Sequence, residues 1–137
     1  LRNESIELDI EIQEGLIIHG YKNEFSQVIL NIINNAKDVL VEKRIKDAKI
    51  KLRTTFSEDG RVLNLHICDN GGGIPKGALN QIFEPYFTTK EEGKGTGIGL
   101  YMSKMIIEEN MHGTISAKNE DGGAVFTISI ALNKENN

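Results

Sequence analysis

The chain has few of the features that would mark a secreted, membrane-spanning or nucleic-acid-binding protein. Its 137 residues include one cysteine, Cys68, so no internal disulfide can form, and the sequence fits a reducing compartment. The sequence has no signal peptide and no apolar run long enough to cross a membrane. A formal net charge of -4 at pH 7 gives no support for binding nucleic acid.

The sequence also lacks the residue patterns of several common catalytic and metal sites. None of its three histidines stands beside an acidic residue in a helical pattern, and no Cys/His cluster or Ser/His/Asp arrangement is readable. Cys68 ends an apolar segment, which predicts a small residue in a buried strand end and not a nucleophile. Both prolines fall within residues 71–97, so this stretch is predicted to be irregular, and functional or mobile.

Length and composition predict one globular domain with its own core. The chain is 39% hydrophobic and 26% charged, which is ordinary for such a domain. It contains no internal repeat, low-complexity tract or convincing linker. Because it starts at Leu1 without a methionine, we expect residues 1–137 to be a single domain excised from a longer protein, which could carry a membrane anchor.

Hydrophobic spacing predicts two main helices. Eight apolar residues fall at helical spacing between Asn23 and Lys46 and form one core face: Phe25, Val28, Ile29, Ile32, Ile33, Ala36, Val39 and Leu40. A second helix is predicted over Ile98–Glu109, with Met102, Met105 and Ile106 in the core. A short helix is predicted at Lys76–Ile82.

The remaining segments predict strands. Period-two alternation indicates a half-buried strand over Ser5–Gln13. Further strands are predicted at Leu16–His19, Lys49–Ser57, Arg61–Cys68, Thr114–Lys118 and Ala124–Leu132. The predicted fold is therefore an α/β (α+β) two-layer sandwich, with a mixed, mostly antiparallel sheet covered on one face by helices.

Two glycine-rich segments are the most informative part of the sequence. Asp69–Gly73 combines a carboxylate, which suits a purine amino group, with glycines that allow close approach to a flat ring or positive φ. Gly95–Gly99 opens a helix, and backbone N–H groups at such a start favour phosphates. Either segment alone could be a turn, but together they predict an ATP site, with Lys90, Lys94 and Lys104 nearby as cations.

Two asparagines on the first helix offer neutral oxygen ligands. Asn31 and Asn35 are four residues apart and share a face beside the apolar stripe. Asparagine is a poor choice for a helix interior unless its amide is used, and Mg²⁺ beside phosphates is one such use. The alternative is that both amides bind backbone or a neighbouring loop. Phe83 and Phe87, in the irregular stretch, are either anchors of a mobile lid or ordinary core residues.

These segments make the chain resemble the catalytic, ATP-binding domain of sensor histidine kinases. The superfamily also includes gyrase, heat-shock chaperones of the ninety-kilodalton class and mismatch-repair ATPases. The similarity covers nearly the whole chain and rests on segments in the family's order: Asn31–Ala36, Asp69–Pro75, Phe83–Phe87, Gly95–Leu100 and Gly122–Phe126. The amino-acid sequences of Phe83–Lys90 and Gly95–Lys104 are most similar to those of kinases of the nitrogen-regulator type.

The resemblance implies a Bergerat fold and a set of roles. Asn35, helped by Asn31, would bind Mg²⁺, and these two with Lys90 would be catalytic. Asp69 would bind the adenine amino group, and Phe83–Thr96 would be the ATP lid. The residues expected to contact ATP are Asn31, Asn35, Asp38, Asp69, Gly71, Gly73, Ile74, Phe83, Phe87, Lys90, Gly95, Thr96, Gly97, Ile98, Gly99, Leu100 and Thr127.

The residue at position 31 distinguishes a kinase from an ATPase. In the hydrolysing relatives this position is a glutamate that activates water, whereas Asn31 cannot act as a general base. The resemblance therefore implies phosphoryl transfer to a histidine on a separate helical dimerisation domain, and from there to a response regulator, by a cytoplasmic domain that is monomeric when isolated.

The sequence departs from the family pattern at several positions. Asp38 stands where a basic residue is frequent, Thr88 where a phosphate-facing base is frequent, and Ala124 where a threonine is frequent. The cation that contacts the γ-phosphate is therefore open: Lys90 is the nearest substitute, and Lys37, Arg44 and Lys94 are the others. Asp38 mildly favours the alternative of a nucleotide-gated conformational module, as in chaperone or topoisomerase ATPases. A binding-only regulator is a third interpretation, which the intact glycine segments oppose.

Overall fold

The computed structural model of the chain describes residues 6–11, 22–87 and 98–132. Within these ranges, the strands are β1 (Glu7–Glu11), β2 (Lys49–Phe56), β3 (Val62–Asp69), β4 (Thr114–Glu120) and β5 (Gly123–Ala131). The helices there are α1 (Lys22–Glu42) and α2 (Gly99–Met105), with a 3-10 turn at Lys76–Ala78 and a π turn at Ile106–Asn110. The predicted strand at Leu16–His19 lies outside the described residues.

The described strands form one mixed sheet in the order β1-β2-β3-β5-β4. β1 runs parallel to β2, and the other pairs are antiparallel. Asp121 and Gly122 form the two-residue turn between β4 and β5, and both have positive φ, as Asp-Gly hairpin turns require. The prediction of a mixed, mostly antiparallel sheet is confirmed.

The core lies between α1 and one face of the sheet. Alternate residues of β2, β3 and β5 point into it, because side chains alternate across a strand. The buried residues that pack together there include Val28, Ile32, Ala36 and Leu40 of α1, Ile50 and Leu52 of β2, Leu65 and Ile67 of β3, and Phe126, Ile128 and Ile130 of β5. The face opposite α1 carries polar side chains, including Thr55, Asn64, His66 and Thr127.

Helix α1 ends earlier than its apolar pattern predicts. Arg44 adopts the left-handed conformation, with φ of 54°. Its N–H donates to the Val41 carbonyl (3.1 Å), and the Ile45 N–H donates to the Leu40 carbonyl (3.0 Å). This is a Schellman closure, which stops the helix at Glu42 instead of Lys46 and turns Ile45 back onto the core. No glycine marks this end in the sequence.

The predicted core face of α2 is wrong at two positions. Met102 and Met105 are 46% and 39% exposed, whereas Ser103 and Ile107 are fully buried. Residues four apart share a helix face, so the face through Ser103 and Ile107 turns inward and leaves the methionines at its sides. Ile106 packs against the core as expected.

Of the predicted half-buried strand Ser5–Gln13, the structure describes residues 6–11, and these contain the strand Glu7–Glu11. Leu8 and Ile10 lie beside Ile50 and Leu52 of β2, but they remain 52% and 55% exposed at the sheet edge. The short helix predicted at Lys76–Ile82 is a single 3-10 turn, Lys76–Ala78, that buries Ala78; Ile82 is also buried.

Cys68 is half-buried beside the buried Ile67, not in the core, because alternation turns it to the polar face.

Candidate functional site

Asn31 joins the middle of α1 to the start of α2. Its Nδ2 donates to the Ser103 hydroxyl (3.3 Å) and lies 3.5 Å from the Gly99 carbonyl oxygen. Its Oδ1 accepts a hydrogen bond from Gln27 Nε2 (3.1 Å) at the exposed side of the helix. The amide is thus used by the protein itself, and it connects α1 to α2, which begins at Gly99, the last residue of the second glycine segment.

Ser103 is a site residue that the sequence analysis missed. Its hydroxyl donates to the Gly99 carbonyl (2.9 Å) while it accepts from Asn31, and the side chain is fully buried. A buried hydroxyl needs such partners, since leaving it unpaired would cost about 1–3 kcal/mol. The sequence signal for its burial was the spacing of four residues to Ile107, which places both residues on one face of the helix.

Asp69 ends β3 and begins the first glycine segment. Its Oδ1 accepts hydrogen bonds from the Gly71 N–H (2.8 Å) and the Ala124 N–H (3.3 Å). One carboxylate oxygen is thereby committed to the main chain of two neighbouring segments. The structure therefore fixes the orientation of the carboxylate.

The first glycine segment is held against three surrounding parts of the fold. Gly71 approaches α1 so closely that a Cβ there would lie 3.0 Å from Val39 Cγ1, and its carbonyl accepts from Lys43 Nζ (3.0 Å). Asn70 Oδ1 accepts from the Lys49 N–H (2.9 Å), and the Gly72 N–H donates to the Gly122 carbonyl (2.8 Å). The segment is thus attached to α1, to the start of β2 and to the β4–β5 turn.

Gly73 supplies the conformational freedom that the sequence analysis expected. Its φ is +88°, a conformation that side-chain-bearing residues rarely adopt. A Cβ at Gly73 would lie 2.8 Å from the Asn119 side-chain oxygen. The next residue, Ile74, exchanges two hydrogen bonds with the Asn119 amide.

The two phenylalanines that follow, Phe83 and Phe87, pack against the core. The ring of Phe83 lies edge-on to Phe126, with centroids 6.1 Å apart and an interplanar angle of 85°. Lys104 Nζ lies 5.7 Å from the centre of the Phe83 ring and 2.9 Å from Glu108 Oε2. Phe87 is also packed against the core. Both phenylalanines are therefore core contacts of this structure, at the point where the predicted lid begins.

Other predicted residues are placed differently or are not described. Ile98 directly precedes α2, Gly99 and Leu100 begin it, and Asp38 is exposed on α1. The remaining predicted residues of this group lie outside the described residues: Lys90, Gly95, Thr96 and Gly97.

Thr127, a predicted ATP contact, lies on the opposite face of the sheet from α1. Thr127 alternates in β5 with Phe126 and Ile128, which point into the core, so its side chain lies on the sheet face away from α1. There its hydroxyl lies 3.0 Å from His66 Nδ1. The structure therefore does not bring Thr127 together with Asn31 and Asn35.

His66 and Cys68 lie on that same polar face. His66 Nε2 is 2.9 Å from the Thr55 hydroxyl, so both ring nitrogens have threonine partners. Burial lowers the pKa of His66. The positive charges of Arg53 and Lys118 lower this pKa further, and the negative charge of Glu120 partly opposes them. Burial also raises the pKa of the Cys68 thiol, which agrees with a non-nucleophilic cysteine.

The lowered pKa of His66 predicts a pH-dependent stability. The fold disfavours the charged imidazole. The contribution of neutral His66 to stability is therefore complete above pH about 6.5, the ordinary histidine pKa, and is lost as the pH falls through the lowered pKa of the folded state. We expect the free energy of unfolding of the wild type to decrease, relative to that of His66→Gln, as the pH falls from 7 to 5. Urea titrations of both proteins across this range measure the difference. Parallel pH profiles would contradict the prediction.

Comparison with known proteins identifies the family. The family described as "Histidine kinase-, DNA gyrase B-, and HSP90-like ATPase" matches residues 20–134. The chain belongs to this family. Within the described ranges, neither α1 nor any other helix combines the length and apolar character needed to span a bilayer.

The chain is homologous to catalytic domains of sensor histidine kinases. It is 37% identical over 134 residues to the two-component sensor PprA of Pseudomonas aeruginosa, which covers 96% of this chain and 14% of PprA. It superimposes on the nucleotide-free catalytic domain of histidine kinase ThkA with a TM-score of 0.78 and 29% identity, covering 96% of this chain and 82% of that domain. ThkA in complex with response regulator protein TrrA matches with a TM-score of 0.75 and 25% identity, over 98% of this chain and 36% of ThkA. The chain thus spans a small part of the length of PprA.

Proposed function

We propose that the chain is the catalytic ATP-binding domain of a longer sensor histidine kinase. It binds Mg²⁺ and ATP and donates the γ-phosphoryl group to a histidine on a separate helical dimerisation domain. The observation that carries this proposal is the amide at position 31, held between α1 and α2 by Ser103 and Gly99. An amide in that place cannot take a proton from water, so the site favours an external nucleophile over hydrolysis.

The hydrogen bonds of Asp69 support a role for this residue in recognising adenine. Its Oδ1 is committed to the Gly71 and Ala124 N–H groups, which fixes the plane of the carboxylate. The second oxygen, as the remaining acceptor, would take a hydrogen bond from the adenine amino group. This arrangement favours a base with a donor at that position, because a carboxylate has acceptors only.

The asparagines of α1 have the chemistry to hold Mg²⁺. Asn35 lies one turn after Asn31, and both are half-buried on α1. The Oδ1 of Asn31 accepts an exposed bond from Gln27, which water can replace at little cost, so this oxygen can take part in binding a cation. When bound with ATP, Mg²⁺ would neutralise negative charge on the phosphates. Neutral amide oxygens suit a site in which phosphate oxygens supply the remaining ligands.

The transfer step requires partners outside this chain. A ring nitrogen of the acceptor histidine forms a bond to the γ-phosphorus as the bond to the β-phosphate oxygen breaks, leaving ADP and phosphohistidine. An aspartate of a response regulator then receives the phosphoryl group. ThkA, which resembles this chain, has been crystallised with a response regulator, and this supports the second partner. An ATP-dependent relay of this kind places the domain in the cytoplasm.

Replacing Asn35 is expected to abolish phosphoryl transfer while leaving the fold intact. The parent kinase, or the chain with the helical domain of that kinase, is incubated with Mg²⁺ and γ-labelled ATP. We expect Asn35→Ala to label histidine at least about 100-fold more slowly than the wild type, because charge on the phosphates is no longer neutralised. Asn34→Ala is the matched control, since Asn34 is exposed and adjacent on the same helix.

Each outcome of this experiment bears on the proposal. Labelling of histidine by the wild type and by Asn34→Ala, with loss in Asn35→Ala at an unchanged melting temperature, supports it. A wild-type protein that hydrolyses ATP rapidly and labels no histidine would overturn it in favour of a nucleotide-gated module. Loss of a cooperative melt in Asn35→Ala would show that Asn35 is a structural residue and not a ligand.

A further inference from the structure

Asn119 of β4 binds the main chain of Ile74, the residue that follows the first glycine segment, in two places. Its Oδ1 accepts a hydrogen bond from the Ile74 N–H (2.7 Å), and its Nδ2 donates to the Ile74 carbonyl (2.8 Å). The two residues are far apart in sequence, so this contact exists only in the folded chain. The amide therefore acts as a neighbouring peptide group would in a sheet, satisfying both polar groups of one residue.

The contact is fitted to the shape of the glycine segment. Gly73 has φ of +88°, and a Cβ there would lie 2.8 Å from Asn119 Oδ1. The space that any side chain at position 73 would need is thus occupied by Asn119. The absence of a side chain at Gly73 permits the two hydrogen bonds to Ile74.

Asn119 fixes the end of the segment that lies opposite Asp69. At one end, Asp69 belongs to β3 and binds the Gly71 and Ala124 N–H groups. At the other end, Asn119 holds Ile74 from the neighbouring hairpin. A segment fixed at both ends loses less conformational freedom when it closes on a ligand, and this freedom is part of the cost of binding.

We propose that Asn119 is a positioning residue for the nucleotide, which acts through the main chain of Ile74 and does not itself touch ATP. The inference rests on the proposed function, because it assumes that the segment from Asp69 to Ile74 receives adenine. It predicts that the hydrogen bonds of Asn119 contribute to nucleotide affinity more than to the stability of the fold. Both bonds are exposed to solvent, so their loss is expected to change the stability only slightly.

Two variants of Asn119 separate hydrogen bonding from packing. Asn119→Ala removes both hydrogen bonds, whereas Asn119→Asp keeps the volume of the side chain but replaces the Nδ2 donor by an oxygen that faces the Ile74 carbonyl. The matched control is Ser129→Ala, which removes a hydrogen bond of β5 to Asn64 (2.6 Å) on the face away from α1. All three are compared with the wild type for ADP affinity by calorimetry, for melting temperature, and for hydrogen exchange of the Ile74 amide.

We expect Asn119→Ala and Asn119→Asp to raise the Kd for ADP about tenfold and to speed exchange of the Ile74 amide, with little change in melting temperature. Ser129→Ala should lower the melting temperature and leave the Kd unchanged. If both Asn119 variants bind ADP as tightly as the wild type does, the inference is overturned while the proposed function stands. If the wild type itself binds no nucleotide, the proposed function fails and the inference fails with it.

Discussion

Gly123→Ala is expected to destabilise the domain by about 3–5 kcal/mol. A Cβ at Gly123 would overlap the carbonyl oxygen of Asp69 and lie 2.6 Å from its carbonyl carbon. The neighbouring atoms belong to the main chain, so no flexible side chain can move aside. Relief requires the start of β5 to separate from the end of β3, and this breaks the contact between the Ala124 N–H and the Asp69 carboxylate.

Gly77→Ala is the matched control for this prediction. A Cβ at Gly77 would meet no atom within 4 Å, and the residue lies in an exposed 3-10 turn. Alanine there should change the free energy of unfolding by less than about 0.5 kcal/mol. Urea denaturation of both variants and the wild type measures the two effects. Equal stability of the two variants would show that the β3–β5 contact is looser than described.

The predictable part of the fold depended on local periodicity. The spacing of Val28, Ile32, Ala36 and Leu40 specified the inward face of α1, and all four are buried. The turn between β4 and β5 can be predicted from its Asp-Gly sequence, because glycine and aspartate tolerate positive φ. These features follow from residues close in sequence, whose spacing or conformation is visible without the tertiary structure.

The features that were missed are set by contacts distant in sequence. Arg44 takes the left-handed conformation that usually marks glycine, because Ile45 gains a place on the core. Ser103 is buried because Asn31, on another helix, supplies a partner for its hydroxyl. No local pattern indicated that Asn119 would bind Ile74. The candidate site could be recognised from its glycines and its carboxylate. The side chains that hold these residues in place could not be predicted from the sequence.

Asp69→Asn is expected to weaken ADP binding about 30- to 100-fold without unfolding the domain. Asparagine keeps an oxygen that can accept the Gly71 and Ala124 N–H groups, so the glycine segment retains its contacts. The other carboxylate oxygen becomes an NH₂ group, which would face the amino group of adenine, donor against donor. Loss of a hydrogen bond to a charged group costs about 1.5–3 kcal/mol, and the opposed donors add to this cost.

The same substitution is expected to change the preference for the base. The NH₂ group of the asparagine can donate to the oxygen that hypoxanthine carries in place of the adenine amino group, whereas the wild-type carboxylate is opposed to that oxygen. We therefore expect the preference for ADP over inosine diphosphate to shrink or reverse in Asp69→Asn. Calorimetry with both nucleotides, on wild type and variant, measures this preference. Parallel weakening for both bases would mean that Asp69 supports the glycine segment without contacting the base, and that the selectivity for adenine comes from elsewhere in the site.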